Sequence, residues 1–197
     1  MEKRVFRKLC RERLEKALKN GRVYRNRIVL RRVENIIKKY NPKAVLLYMP
    51  MSHEPDLRPL FRRLAGRTKI YIPFMEGESF KLVQYRLPLR RKRFGILESN
   101  NSHFYLPKID LAVVPVLGVD GKMGRIGFGK GMYDRFYASL DSRPITLFVQ
   151  LCKCYTKEIV TDSFDIEADF YITPEDIIVR GKRYVDRTVD RRCRSNR

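Results

Sequence analysis

A chain of 197 residues that is 44% hydrophobic is long enough for one domain with a buried core and too apolar to be disordered. Its net charge of +21 suggests polyanionic partners: nucleic acid, or an acidic or phosphorylated small molecule. A surface generally rich in Arg and Lys is the third reading. The charge is spread over 22–32, "RLPLRRKRF" from Arg86 and "DRTVDRRCRSNR" at the end, which fits a solvated basic surface at least as well as one binding stripe and disfavours nucleic acid.

The elements begin with a helix. Val5, Phe6, Leu9, Leu14, Ala17 and Leu18 recur near the helical period, and Asn20–Gly21 punctuates it. Val29, Val33, Ile36, Ile37 and Tyr40 mark a second helix, stopped by Asn41–Pro42. "AVLLYMP", residues 44–50, reads as a strand buried on both faces. "DLRPLFRRLAG" predicts a helix from Asp56, with Asp56 as N-cap and Pro59 tolerated in the first turn. "KIYIPF" is the next strand, and the alternating "FKLVQYRL" is a strand nearer the edge. "RRKRFGILES" reads as loop. "DLAVVPVLGVD" is another buried strand, "GMYDRFYASL" starts a helix, and "PITLFVQL" and "DFYITP" supply two last strands. Alternation of strand and helix predicts an α/β fold: a mostly parallel or mixed sheet flanked by helices, with an N-terminal helical pair. One domain is expected over 1–185, followed by a basic tail over 186–197.

The four cysteines are Cys10, Cys152, Cys154 and Cys193. Cys152 and Cys154 form C-x-C with no second metal-binding pair, and His53 and His103 lie far from it, so no structural zinc site is expected. The start is charged, without an apolar signal core, and no stretch reaches the ~18 apolar residues of a membrane span. The expectation is a soluble, cytoplasmic monomer with reduced thiols and no membrane partner.

"RIGFGKGMYDRF", residues 125–136, carries the chemistry. It follows a buried strand and precedes a helix, where ligands of open α/β sheets bind. Glycines let backbone N–H groups close on anionic oxygens, and the helix adds its positive end. Gly127, Gly129 and Gly131 give G-x-G-x-G, which fails the dinucleotide fingerprint. Gly124, Gly129 and Lys130 match G-x-x-x-x-G-K, but Gly131 stands where a Ser or Thr hydroxyl should touch magnesium. Asp134, one helical turn from Lys130, is a hard oxygen donor that can replace it. Arg125 and Lys130 would neutralise phosphate charge. The competing interpretation is a Gly-rich turn with solvated cations.

"VVPVLGVD" followed by "GRIGFGKGMYD" resembles the signature of the 5-formyltetrahydrofolate cyclo-ligase (5,10-methenyltetrahydrofolate synthetase) family. There V/M-P-G-L-x-F-D precedes G-x-R-L-G-x-G-x-G-Y-Y-D. "KRVFRKLCRERL" resembles that family's K-R-x-x-R helix start, "LYMPMSHEPD" its folate-binding loop and "DSFDIEAD" its late D-x-x-x-D segment, Asp165 to Asp169. The resemblance runs from Lys3 to about Pro174. It implies ATP- and Mg2+-dependent closure of 5-formyltetrahydrofolate to 5,10-methenyltetrahydrofolate with ADP and phosphate released, through a phosphorylated formyl (imidate) intermediate. Positioning and charge neutralisation then suffice, and no nucleophilic side chain is needed.

The resemblance implies that Lys3, Arg4 and Arg7 contact ATP phosphates, although alone they read as helix-surface charge. Arg125, Ile126, Gly127, Phe128, Gly129, Lys130, Gly131, Met132 and Tyr133 would wrap the triphosphate, with Arg125 and Lys130 as the catalytic cations. Met49 and Glu54, with Phe128, Gly129, Lys130, Gly131 and Met132, would line the folate site; Met49 alone reads as core and His53 as a loop histidine. Asp134 and Asp165 would hold magnesium, although Asp165 alone reads as a turn or cap residue. Folates with acidic glutamate tails would suit the basic surface. Departures from the family pattern are Met132 for the first Tyr, Phe128 where Arg or Tyr is frequent, Pro115-Val116-Leu117 for P-G-L, and Cys154 for a Gln, with Gln150 nearby. They bear on substrate affinity more than on ATP. The alternatives are a basic nucleic-acid-binding protein on this scaffold without catalysis, and a different ATP-dependent transferase.

Overall fold

The structure is a computed structural model and describes residues 1–77, 79–85, 90–91, 97–98 and 108–184. Helix α1 spans Lys3–Lys19 and α2 spans Arg22–Tyr40. Phe6, Cys10, Leu14 and Ala17 are the buried stripe of α1, spaced four, four and three residues apart as one helical face demands. The break falls at Gly21, whose φ of 73° is left-handed, and α2 ends on left-handed Asn41 just before Pro42.

The remaining elements are β1 Ala44–Leu46, α3 Arg58–Leu64, β2 Lys69–Glu76, β3 Ser79–Gln84, β4 Arg90–Arg91, β5 Leu97–Glu98, β6 Leu111–Pro115, β7 Gly118–Val119, β8 Arg125–Ile126, α4 Met132–Ala138, β9 Ile145–Val149, β10 Phe170–Ile172, β11 Ile177–Val179 and β12 Lys182–Tyr184. Eight of these strands make one sheet in the order β12-β11-β10-β9-β6-β1-β2-β3. The central five, β10 to β2 in that order, run parallel, and β3, β11 and β12 join antiparallel at the two sides. The mixed α/β fold is the expected one.

Alternation along the strands sorts the core. Val45, Leu47, Ile70, Ile72, Val113, Leu147 and Val149 face α2 and α3 in one cluster. Leu46, Ala112, Val114 and Phe148 face the other side, where α4 contributes Phe136. Both faces are covered, which is why β1 and β6 read as uninterrupted apolar runs and β9 is broken only by the hydrogen-bonded Thr146. α1 closes a third cluster over Leu117, Ile126 and Leu151, at the ends of those strands.

Several expectations change. β1 is shorter than the apolar run, because after Leu46 the chain keeps one hydrogen bond, Leu47 N–H to the Tyr71 carbonyl, and turns away. α3 starts at Arg58, so its cap position falls to Leu57. Asp56 still accepts the Arg58 N–H at 3.0 Å, from one residue further out. The loop reading of 90–99 meets a two-residue pairing of β4 with β5; 92–96 and 99 lie outside the described residues, as do His103, Cys193 and the 186–197 tail. Strands β11 and β12 around Gly181 were not expected.

The expectation of reduced thiols is overturned for one pair: Cys10 and Cys154 form a disulfide, with Cα atoms 5.6 Å apart. α1 lies against β7 at Gly118, where a Cβ would sit 2.6 Å from Cys10 Sγ and 2.9 Å from the Cys154 carbonyl oxygen. The glycine makes the room, and the 144-residue separation hides the pair from a reading of spacings. Cys152 is free and buried, and burial pushes its thiol up to about 11. No helix among the described residues is long and apolar enough to cross a membrane.

Candidate functional site

The loops after β1, β6 and β9 meet at the carboxyl ends of the parallel strands. A cleft of about 750 Å³ opens there, lined by Lys3 and Arg7 from α1, by Arg125, Gly127, Gly129, Gly131 and Asp134, and by the 163–167 segment. Arg7 Nε donates to the Gly127 carbonyl at 3.1 Å, and Arg11 to that of Phe128 at 3.0 Å, so α1 braces the glycine loop. Gly129 and Gly131 have φ of 113° and 62°, conformations that exclude most side chains.

Both proposed metal carboxylates face this cleft. Asp134 Oδ2 accepts from Arg125 at 3.3 Å, and its Oδ1 accepts the Ile166 N–H at 3.3 Å. Asp165 accepts from Lys3 and, at 2.7 Å, from the Asp162 N–H. Among the described residues no cluster of three His, Cys, Asp or Glu side chains exists. Two carboxylates beside a cationic cradle fit Mg2+, which takes one or two carboxylates and completes its shell with phosphate oxygens and water.

Arg125 is buried, 7% exposed. Besides Asp134, its guanidinium reaches the Pro115 carbonyl at 3.4 Å and lies 5.0 Å from the Tyr133 ring centroid. A Cβ on Gly127 would come within 2.4 Å of Nη1. The missing Cβ of Gly127 leaves room for the Arg125 guanidinium against the loop backbone. Gly127→Ala should displace that guanidinium and lower Tm with little loss of helix content; thermal melts followed by circular dichroism check both.

Beyond the Tyr133 ring is a second pocket, of about 100 Å³, lined by Tyr48, Met49, Met51, Glu54, Met75, Phe80, Met132 and Tyr133 among others. Glu54 is 7% exposed and accepts the Met51 N–H at 2.9 Å. Burial pushes its carboxyl up to about 7, against the opposing pull of the Met51 N–H and the Arg125 charge. Burial likewise holds the Tyr133 hydroxyl far above its ordinary value, so that side chain stays a neutral phenol.

The structure thus sorts the candidate residues between two pockets. Lys3, Arg7, Arg125, Gly127, Gly129, Gly131, Asp134 and Asp165 line the cleft, whereas Met49, Glu54, Met132 and Tyr133 line the smaller pocket. Arg4 is exposed on α1 and Lys130 is exposed on the loop; neither lines these two cavities. Ile126 points into the core cluster beneath α1, so only its backbone faces the loop. Phe128 packs against that cluster and against His53, ring centroids 4.5 Å apart. Burial, helped by the Arg11 and Arg22 charges, lowers the His53 pKa. The loop histidine therefore joins the Met49–Glu54 segment to the glycine loop.

The supporting roles of some residues escaped the sequence. Gly124 is a packing glycine, since a Cβ there would meet Thr161 Oγ1 at 2.1 Å. Asp120, fully buried, accepts N–H groups of Lys122, Gly124, Val160 and Thr161 and the Thr161 hydroxyl. These donors outweigh burial and hold its pKa below the ordinary value. The Val160–Thr161 partners of Asp120 are about forty residues away in sequence, beyond the reach of local patterns. Gln150, also buried, donates to the Val116 carbonyl and braces the turn leading to β7.

Fold and site together define an α/β protein with a cation-lined glycine cleft beside a carboxylate-bearing apolar pocket. The family model for the 5-formyltetrahydrofolate cyclo-ligase family matches residues 1–172, and the chain belongs to that family. It is 27% identical over 110 residues to the 5-formyltetrahydrofolate cyclo-ligase of Haemophilus influenzae, a match spanning 51% of this chain and 59% of that one. It is 28% identical over 157 residues to a probable 5-formyltetrahydrofolate cyclo-ligase of Schizosaccharomyces pombe, covering 69% and 77%. Aquifex aeolicus 5,10-methenyltetrahydrofolate synthetase superposes with a TM-score of 0.75 at 26% identity, over 95% of this chain and 98% of that one. The Mycoplasma pneumoniae synthetase shares the fold at a TM-score of 0.64 and 19% identity, over 88% of this chain and 99% of that one.

Proposed function

We propose that this chain closes 5-formyltetrahydrofolate to 5,10-methenyltetrahydrofolate while converting ATP to ADP and phosphate. The position of Arg125 carries the proposal. It lines the cationic, glycine-lined cleft, and its guanidinium lies 5.0 Å from the ring of Tyr133, which lines the pocket holding the buried Glu54 carboxylate. Substrates bound in the two cavities would meet near one guanidinium.

In this reading the triphosphate lies in the cleft against Lys3, Arg7, Arg125 and the Gly127–Gly131 backbone. Lys130, exposed on the same loop, is the second catalytic cation. Mg2+ held by Asp134 and Asp165 would neutralise phosphate charge. The pterin enters the smaller pocket, where Met49, Met132 and Tyr133 pack on its faces and Glu54 accepts its N–H donors. The substrate's formyl oxygen attacks the γ-phosphorus and ADP departs, leaving a phosphorylated imidate. N10 of the substrate then attacks the formyl carbon, and phosphate leaves with the former formyl oxygen while the N10 proton passes to the departing phosphate. Arg125 stabilises the negative charge on the transferring group and then on the departing phosphate.

Glu54 supplies a pH test. Its carboxyl titrates near 7, and the pterin donors need the carboxylate. KM for the folate should therefore fall as pH rises through about 7, and Glu54→Gln should flatten that profile at a higher KM. The linked stability effect has the opposite sense. Between its ordinary value of 4.5 and about 7 the folded protein holds a proton that the unfolded chain releases, so this group's contribution to stability declines as pH rises.

The reading is tested by mixing the protein with Mg2+, ATP and 5-formyltetrahydrofolate and following methenyl absorbance. Absence of product together with tight, salt-sensitive RNA binding would favour the basic nucleic-acid-binding alternative.

A further inference from the structure

Phe164 is 71% exposed and lines the cleft. A single exposed apolar side chain is ordinary on a protein surface; its setting here is not. Its turn is tied at several points. Asp165 N–H donates to the Asp162 carbonyl at 3.3 Å, Asp162 N–H donates to the Asp165 carboxylate at 2.7 Å, and Lys122 donates to the Asp162 carbonyl at 3.1 Å. Lys3 pairs with both carboxylates. The same Lys3 ammonium lies 5.4 Å from the Phe164 ring centroid. The ring is thus held out at the cleft by a braced turn, with a cation beside it. Tyr137, Leu140 and Ile166 give the cleft further apolar wall.

A nucleoside triphosphate whose phosphates are drawn to the cationic part of the cleft brings with it a flat nucleobase. A ring carried on a braced backbone is a low-entropy partner for such a face, because only its two side-chain torsions remain to be fixed. We propose that Phe164 is the nucleobase-stacking residue of the cleft, resting on the reading of that cleft as a nucleoside triphosphate site. Stacking is tolerant of base identity, because every base has a π-face. Phe164 therefore sets how tightly a nucleotide is held, not which purine is chosen.

The chain contains no tryptophan, so Phe164→Trp places a lone tryptophan at the contact, excited selectively at wavelengths the tyrosines do not absorb. Binding of Mg-ATP should quench or shift its emission, and magnesium tripolyphosphate, which lacks the base, should bind without doing so. Phe164→Ala should weaken ATP and GTP alike, each by about tenfold or more. It should leave tripolyphosphate affinity within twofold of wild type, and Phe164→Tyr should restore ATP binding. Equal weakening of ATP and tripolyphosphate, or unchanged ATP affinity in Phe164→Ala, overturns the stacking role while the cleft assignment stands. Wild-type protein that binds neither probe overturns both.

Discussion

Replacing Arg125 with Met should lower kcat by about 10²–10³-fold, the cost of removing one preorganised charge from a developing anion. The fold should persist, because Met fills similar space and Asp134 keeps the Ile166 N–H and some solvent contact. A second consequence separates Arg125 from an ordinary structural cation. Its charge is one of the influences lowering the Glu54 pKa, so the midpoint of the folate-binding pH profile should move upward in Arg125→Met. Arg125→Lys should recover that midpoint more fully than kcat, since a lysine restores charge without the planar fork. Retention of wild-type kcat in Arg125→Met would remove the residue from the chemistry.

Reduction of the Cys10–Cys154 disulfide should lower stability by about 2–4 kcal/mol, the usual worth of a bond closing a long loop. For a chain of this size that is roughly 5–15 °C in Tm. The bond fixes α1 to the segment after β9, and α1 carries Lys3, Arg7 and Arg11 to the cleft and glycine loop. Reduction should therefore also raise KM for ATP more than KM for the folate. Cys10→Ala should reproduce both effects without reductant, whereas Cys152→Ala, which removes a free thiol, should leave the ATP effect absent. Thiol counting under denaturing conditions that finds no oxidised pair would contradict the bond directly.

The parallel core and the N-terminal helices were legible because their signals are local. Apolar runs such as Leu111–Pro115 need no knowledge of partners, and Gly21 and Asn41–Pro42 mark breaks through backbone conformation alone. The glycine loop was legible as a turn between a buried strand and a helix for the same reason. Its internal logic was not. Whether Gly127 yields to a phosphate or to Arg125, and whether Gly124 serves a ligand or Thr161, depends on contacts made across the fold. The disulfide and the five-donor shell of Asp120 join residues 144 and up to 41 positions apart, beyond any reading of spacing. The split of the loop into two faces, with Asp134 on one cavity and Tyr133 on the other, follows from successive helical residues pointing about 100° apart. A linear motif compresses that difference into adjacent letters.

The most direct measurement is simultaneous quantification of ADP and methenyl product from Mg2+, ATP and 5-formyltetrahydrofolate. Phosphoryl transfer to the formyl oxygen predicts one ADP for each ring closed, and no ADP above background when the folate is withheld. ADP formed without the folate, or ring closure that proceeds without ATP, would contradict a reaction joined across Arg125.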